Sequence, residues 1–204
     1  DRGGSGLDDA SGFMEQTPLA WTGSRVGVAW EDNSTGDYEI YFMVLGSDGT
    51  PVGSATRITN SVGESYAPEV AWGSSAFGLV WVDRRHGPNV IYFAGLDASG
   101  TKTTTDIRIA EIGVVPSTQP HIVHGDGEFG IVWKDPRTGN DEVYFQRVTI
   151  AGVKIGTEVQ VSNNSGQSRN PFIFYDGYHY IILWDDDTAG NKDIYATRMS
   201  CTGG

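Results

Sequence analysis

The stretch WKDPRTGNDEVY, residues 133–144, is one of four copies of a motif around which the sequence is organised. The other copies are WEDNSTGDYEIY (30–41), WVDRRHGPNVIY (81–92) and WDDDTAGNKDIY (184–195). Their leading tryptophans lie 51, 52 and 51 residues apart along a chain of 204 residues. A period this regular predicts a repeat architecture.

Each repeat carries short strand signals separated by turn residues. A first strand begins near a proline, as in PEVAW (68–72), and a second carries an apolar run up to the tryptophan, as in FGLVW (77–81). A third strand starts at the Ile/Val-Tyr pair, and a more polar fourth follows in three repeats, as in EVQVS (158–162). Four antiparallel strands per repeat predict an all-β, four-bladed β-propeller with a repeat of about 51 residues.

The repeat also predicts the extent of each blade within a single domain. The blades are expected at residues 17–60, 67–111, 119–163 and 170–204. The sequence stops before a fourth strand of the last blade, and the repeat offset places residues 4–9 there, which would close the ring. Glycine weakens strand interiors, so a fragment of a longer propeller and pairing with a second copy stay open as alternatives. We expect a monomer or a homodimer.

Charge and composition narrow the classes of partner. The net charge of −12 and the pI of about 4.6 argue against binding to nucleic acid or to an anionic membrane surface, because both would repel the protein. The single cysteine, Cys201, excludes an intramolecular disulfide. The sequence begins at Asp1 without a methionine or an apolar leader, which is typical of a processed secreted protein or an excised domain. We therefore expect a secreted, extracytoplasmic or cell-surface location.

The aspartate two residues after each tryptophan brackets the loop between the second and third strands. In the second and third repeats Arg85 and Arg137 can pair with it, which predicts an ion pair that fixes the turn. In the first and last repeats Ser34 and Thr188 replace the arginine. Oxygen ligands in this pattern could hold Ca²⁺, although no cofactor is required. The candidate metal ligands are Asp32, Glu39, Asp186 and Asp193.

The long connections between blades share one face of the predicted disc with these loops. They are rich in hydroxyl and amide groups, which suit a neutral sugar or a protein surface. The candidate ligand-binding residues are Tyr66, Glu64, Gln119 and Arg169. The repeated tryptophans and tyrosines are predicted to fill the core between blades.

The unit W-x-D-x-R-x-G-x-x-D/E-I/V-Y resembles the propeller repeats of secreted and cell-surface proteins of bacteria and archaea, which are akin to TolB-like repeats. The resemblance covers all four units and is best in residues 133–144. It implies a propeller that serves as a binding scaffold. Four blades are also found in hemopexin-like domains, but the single cysteine limits that resemblance to blade number.

These observations predict a non-enzymatic extracellular module that binds a protein or glycan surface ligand. The first alternative is a carbohydrate-binding lectin, and the second is a glycoside hydrolase, which needs two carboxylates roughly 5–10 Å apart. Glu69 is the one acid in an innermost strand, and the other repeats have no acid at its position. We interpret that asymmetry as evidence against catalysis and predict that the protein is not an enzyme.

Overall fold

The computed structural model describes residues 17–110 and 116–200, which form four antiparallel sheets and contain no helix. The first sheet contains β1 (Leu19–Trp21), β2 (Arg25–Asp32), β3 (Glu39–Gly46) and β4 (Thr56–Arg57). The second contains β5 (Ser65–Trp72), β6 (Ala76–Asp83), β7 (Val90–Asp97) and β8 (Ile107–Arg108). The third contains β9 (Thr118–Gly125), β10 (Glu128–Asp135), β11 (Glu142–Thr149) and β12 (Lys154–Gln160). The last contains β13 (Ser168–Tyr175), β14 (His179–Asp186) and β15 (Asp193–Ser200).

Every sheet is a meander in which strands adjacent in sequence are adjacent in space. This confirms the all-β prediction with one sheet per repeat. Two details differ from the predicted strands. The first strands of the later sheets begin before their prolines, because a bulge extends each of them towards the preceding loop. The fourth strand is only two residues long in the first two sheets, and no fourth strand is found among the described residues of the last sheet.

The repeated tryptophan forms the core that the sequence predicts. In each sheet it lies opposite the repeated tyrosine on the neighbouring strand, and the two rings stack with centroids 5.9–6.1 Å apart. Trp81 and Trp133 are fully buried. Because both faces of the middle sheets are covered by other sheets, β6 and β7 contain almost no exposed residue, which explains their continuous apolar runs.

Glycines set how closely consecutive sheets pack. A Cβ on Gly27 would lie 2.5 Å from Phe77, one on Gly78 would lie 2.8 Å from Phe129, and one on Gly130 would lie 2.7 Å from Tyr180. These are equivalent positions of the repeat, so an aromatic ring of each following sheet occupies the space that a side chain would take. We call each such glycine a socket. The same packing therefore recurs at all three junctions.

Among the described sheets, the first and the last each carry large apolar side chains that are exposed. Leu19 is 63% exposed, Trp21 56%, Phe172 52% and Ile194 74%. Extensive contacts join the first sheet to the second, the second to the third and the third to the last. Contacts of that extent are not found between the described strands of the last and first sheets. The expected role of residues 4–9 in closing the ring lies outside the described residues. None of the described segments is a helix able to cross a membrane.

Candidate active site

A cleft of about 380 Å³ opens where the inner strands β5, β9 and β13 approach one another. The lining also includes Glu31 from β2, so all four sheets contribute to it. Its volume falls in the range of small-molecule sites.

Three backbone bulges shape the wall of this cleft. Ala67, Gln119 and Asn170 have positive φ values of 49°, 55° and 51°, and each immediately precedes a proline. Each lies where the pairing register of an inner strand shifts. Left-handed backbone at a non-glycine residue costs about 1–3 kcal/mol, so the surrounding structure must hold it in place. The three bulges occupy equivalent positions of the repeat and all line the cleft.

Glu69 is the carboxyl group most altered by this environment. Its side chain is 21% exposed, and burial raises its pKa to about 7. Desolvation has this effect because it disfavours the charged form of an acid. A carboxylic acid that holds its proton near neutral pH is the property that general acid catalysis requires.

His121 faces Glu69 from the equivalent position of the next sheet. Its Nδ1 lies 4.0 Å from Oε1 of Glu69, and burial lowers the pKa of its imidazole. The ring packs edge-on against Phe172, which occupies the same repeat position in the last sheet, with centroids 5.2 Å apart. Burial therefore favours the uncharged form of both groups.

Glu31 supplies a second carboxyl group to the cleft. Its Oε2 accepts a hydrogen bond of 2.7 Å from the backbone N–H of Ala67, the bulge residue of the second sheet. The bulge thus ties Glu31 to the strand that carries Glu69. The sequence analysis missed Glu31. The available signal was its position in the second strand, where the other repeats have Val82, Lys134 and Asp185.

Amide side chains form another part of the wall. Gln119 Nε2 donates to Asn170 Oδ1 at 2.7 Å, and the backbone N–H of Asn170 donates to Gln119 Oε1 at 3.1 Å. Asn170 Nδ2 in turn donates to Asp185 at 2.7 Å. This network fixes polar groups beside the aromatic ring of Phe172. Within residues 17–110 and 116–200, no lysine or arginine lines the cleft.

The four candidate ligand-binding residues are only partly brought together. Tyr66 and Gln119 line the cleft. Glu64 instead forms an ion pair with Arg84 at the surface. Arg169 donates through Nε to Asp141 at 2.5 Å. Tyr66 and Gln119 therefore belong to the cleft, whereas Glu64 and Arg169 form ion pairs outside it.

The candidate metal ligands form two cross-strand pairs, Asp32 with Glu39 in the first sheet and Asp186 with Asp193 in the last. Glu39 and Asp186 also have protein partners. Glu39 accepts hydrogen bonds from Arg57 at 2.7 Å and from Thr59. Ser168 and Asn164 both donate to Asp186 at 2.6 Å. Although burial opposes its ionisation, hydrogen bonds from Ser168, Thr188 and Asn164 hold the pKa of Asp186 well below its usual range. In residues 17–110 and 116–200, no group of three or more His, Cys, Asp or Glu is arranged to hold a metal ion. The Ca²⁺ assignment stays a prediction.

The predicted ion pairs are present in the middle sheets. Arg85 bonds Asp83 at 2.6 Å and Asp106 at 2.9 Å, and its guanidinium lies 4.3 Å from the centre of the Tyr92 ring. Burial opposes ionisation of Asp83, but hydrogen bonds from Arg85 and Trp81 outweigh it and hold its pKa below the usual value. Arg137 makes the equivalent contacts with Asp135 and Glu158, above Tyr144. These groups fix turns outside the cleft.

Comparison with known proteins identifies similar folds. No protein-family model and no curated protein sequence matches the chain. Among solved structures, it is similar to a neuraminidase-like protein of A/little yellow-shouldered bat/Guatemala, with a TM-score of 0.60 and 10% identity over 89% of this chain and 58% of that one. It is similar to an endo-1,4-beta-xylanase from Bacteroides thetaiotaomicron, with a TM-score of 0.54 and 13% identity over 95% and 74%. It is also similar to an alpha-L-arabinofuranosidase from Podospora anserina, with a TM-score of 0.51 and 12% identity over 94% and 65%.

These similarities establish a β-propeller-like fold. The chain spans 58% and 53% of the length of two neuraminidase-like proteins that it matches. The comparisons also overturn the prediction of a non-enzymatic binding module. Matching structures include several named as arabinan-, arabinofuranoside- or xylan-cleaving enzymes. The sequence analysis interpreted the lack of an acid at the position of Glu69 in the other repeats as evidence against catalysis. In the structure this one acid lies in the cleft and has a raised pKa.

Proposed function

We propose that this chain contributes a glycoside hydrolase site in which Glu69 is the general acid. The observation that carries the proposal is the pKa of about 7 that burial gives Glu69 in a cleft with a second carboxyl group. We also propose that the four sheets are blades of a propeller whose inner strands surround this cleft. The low-identity similarity to named glycoside hydrolases is consistent with both proposals.

Hydrolysis of a glycosidic bond uses two carboxyl groups with opposite tasks. Glu69 retains its proton near neutral pH and gives it to the leaving oxygen as the bond breaks. Glu31, held by the Ala67 N–H, provides the negative charge that stabilises the positively charged sugar centre or activates the attacking group. The environments of the two acids differ. Burial raises the pKa of Glu69, whereas Glu31 accepts a backbone hydrogen bond.

The chemistry of the wall favours a neutral sugar. A sugar that bears a carboxylate would need cations to compensate its charge, and no lysine or arginine is among the described residues that line the cleft. Phe172 offers an exposed ring to the apolar face of a sugar, and Gln119 and Asn170 offer amide groups to its hydroxyls. We therefore propose a neutral glycan of the arabinan or xylan type rather than an acidic sugar.

The test is hydrolysis of para-nitrophenyl glycosides of α-L-arabinofuranose and β-D-xylopyranose, together with the arabinan and arabinoxylan polymers. Glu69→Gln should lower kcat by about 10²–10⁴-fold, because it removes the transferable proton at nearly constant shape. Activity of the unaltered protein should decline as pH rises through about 7, where Glu69 loses its proton.

Glu64→Gln is the matched control. It makes the same chemical change in an ion pair at the surface beside Arg84, so activity should be unaffected. Equal activity of the Glu69→Gln protein and the unaltered protein would refute the assignment of Glu69. Failure to cleave any neutral glycoside or polymer would refute the proposed function.

A further inference from the structure

The outer edge of β15 differs from the equivalent edges of the other three sheets. β3, β7 and β11 are each covered by a fourth strand, whereas no strand pairs with the outer edge of β15 within the described part of the chain. Ile40, Ile91 and Val143 are fully buried at the equivalent position, while Ile194 is 74% exposed. The described part of the chain therefore contains three strand-binding edges that are filled and one that is not.

The filled copies share a backbone contact that defines how a strand is held. The N–H of Ile58 donates to the carbonyl of Ile40 at 2.7 Å in the first sheet. The equivalent bonds are 2.8 Å long in the second sheet and 2.7 Å in the third. In each case the donor is Ile or Val, and the next residue approaches the same carbonyl. The edge thus accepts a β-branched residue at a fixed position.

The residue after this donor matches the chemistry of the edge that it covers. In the first sheet the third strand begins with Glu39, and Thr59 follows the donor Ile58. The hydroxyl of Thr59 accepts a hydrogen bond of 2.8 Å from the N–H of Ile40 and donates one to Glu39. Where the third strand begins with Glu142, Ser162 makes the same two contacts.

The second sheet lacks both members of this pair. Its third strand begins with Val90, and the corresponding residue of the covering strand is Ala110, which has no hydroxyl. A carboxylate at the start of the third strand thus occurs with a hydroxyl on the covering strand, and an apolar residue occurs with a methyl group. The reason is that a buried carboxylate needs a donor.

The edge of β15 begins with an acid, Asp193, which is exposed. We propose that this edge binds an extended peptide segment in which Ile or Val is followed by Ser or Thr. The hydroxyl would bond Asp193 and the N–H of Ile194, and the peptide would cover the side chain of Ile194. Residues 1–16 contain no Ile or Val, and Leu7 is followed by Asp8, whose charge would face Asp193. The segments Ile58–Thr59 and Val161–Ser162, which carry this pattern, already cover β3 and β11. We therefore commit to a segment of a partner protein that carries the same pattern.

The experiment measures binding of two fluorescent peptides to the full chain by anisotropy. The first is SATRITN, the sequence of residues 54–60, and the second has alanine in place of its second threonine. The first should bind about tenfold more tightly, because it donates a hydrogen bond to a carboxylate. Asp193→Val, which copies Val90 of the second sheet, should abolish that preference. Equal binding of both peptides, or binding of neither, would overturn the proposal.

Hydrogen exchange at Ile194 separates the other occupants. The proposal requires a rapidly exchanging amide in the free protein that slows when the first peptide is added. Slow exchange without peptide at every protein concentration would assign the edge to residues 1–16 of the same molecule. Protection that appears only as protein concentration rises would assign it to a second copy. Either result would contradict the proposed occupant.

Discussion

The two middle sheets and the two end sheets use the same repeated aspartate in different ways. In the middle sheets Asp83 and Asp135 are each bonded by an arginine that also reaches an acid on the fourth strand or directly before it. In the end sheets Asp32 and Asp186 receive only uncharged donors in the described residues. The repeat thus keeps the position of the acid, while an ion network forms only where the loop supplies an arginine and the covering segment supplies a second acid.

The indole N–H groups of the repeated tryptophans also differ between the middle sheets and the end sheets. Trp81 donates to Asp83 at 3.0 Å and Trp133 donates to Asp135 at 3.4 Å. Within residues 17–110 and 116–200, the buried indole N–H groups of Trp30 and Trp184 have no hydrogen-bond partner. A buried donor without a partner costs about 1–3 kcal/mol. We therefore expect the end sheets to be less stable than the middle sheets.

The strongest test removes the charged group of a middle sheet. Arg137→Ala should lower the free energy of unfolding by about 3 kcal/mol, because it leaves Asp135 buried without its cation. Thr188→Ala at the equivalent position of the last sheet should cost about 1 kcal/mol, since only neutral hydrogen bonds are lost. Urea denaturation measures both. Equal losses would remove the distinction between the two classes of sheet.

A second test concerns the position occupied by Glu69, where the first and last sheets have the apolar residues Pro18 and Phe172. The pKa of Glu69 rises from about 4.5 to about 7 on folding, so the folded state binds more protons between these values. Its stabilising contribution is full below about pH 4.5 and is lost as pH rises through 7. Relative to Glu69→Gln, the unaltered protein should lose about 2 kcal/mol between pH 5 and pH 8.

The measurement is denaturant unfolding of both proteins at the two pH values. Because the other titrating groups are shared, their contributions cancel in the difference between the proteins. A difference that does not change with pH would show that Glu69 has an ordinary pKa. That result would also weaken its assignment as the general acid.

The smallest effect comes from moving the middle-sheet network into the first sheet. Ser34 occupies the position of Arg85 and Arg137, and Ala55 precedes Thr56 where the middle sheets have Asp106 and Glu158. Ser34→Arg combined with Ala55→Glu should be more stable than the sum of the single changes by about 1 kcal/mol. Additive single effects in a double-mutant cycle would show that the covering strand does not create the network.

Much of the fold could be predicted because the repeat constrains it four times. The tryptophan spacing predicted the sheets, and the arginines in two copies of the motif predicted their ion pairs. The bulges at Ala67, Gln119 and Asn170 could not be predicted, since the residue before a proline ordinarily avoids helical backbone. Their left-handed conformation depends on contacts between sheets.

The site was harder to predict for a related physical reason. Glu69 was recognised as unusual, but its raised pKa depends on burial by the neighbouring inner strands, which no local pattern reveals. Glu31 lies in another repeat, 38 positions earlier in the sequence. The backbone hydrogen bond between Glu31 and Ala67 exists only after the first two sheets pack together.

The glycine sockets have a consequence for enlarging the protein by repeat duplication. Gly27, Gly78 and Gly130 each receive an aromatic ring from the following sheet, but the equivalent residue of the last sheet is Ile181. A further repeat built on the same plan would bring its aromatic side chain against this isoleucine. An engineer who appends a copied repeat should therefore change Ile181 to glycine first. The isoleucine side chain occupies the space that the three socket glycines leave for a following aromatic ring.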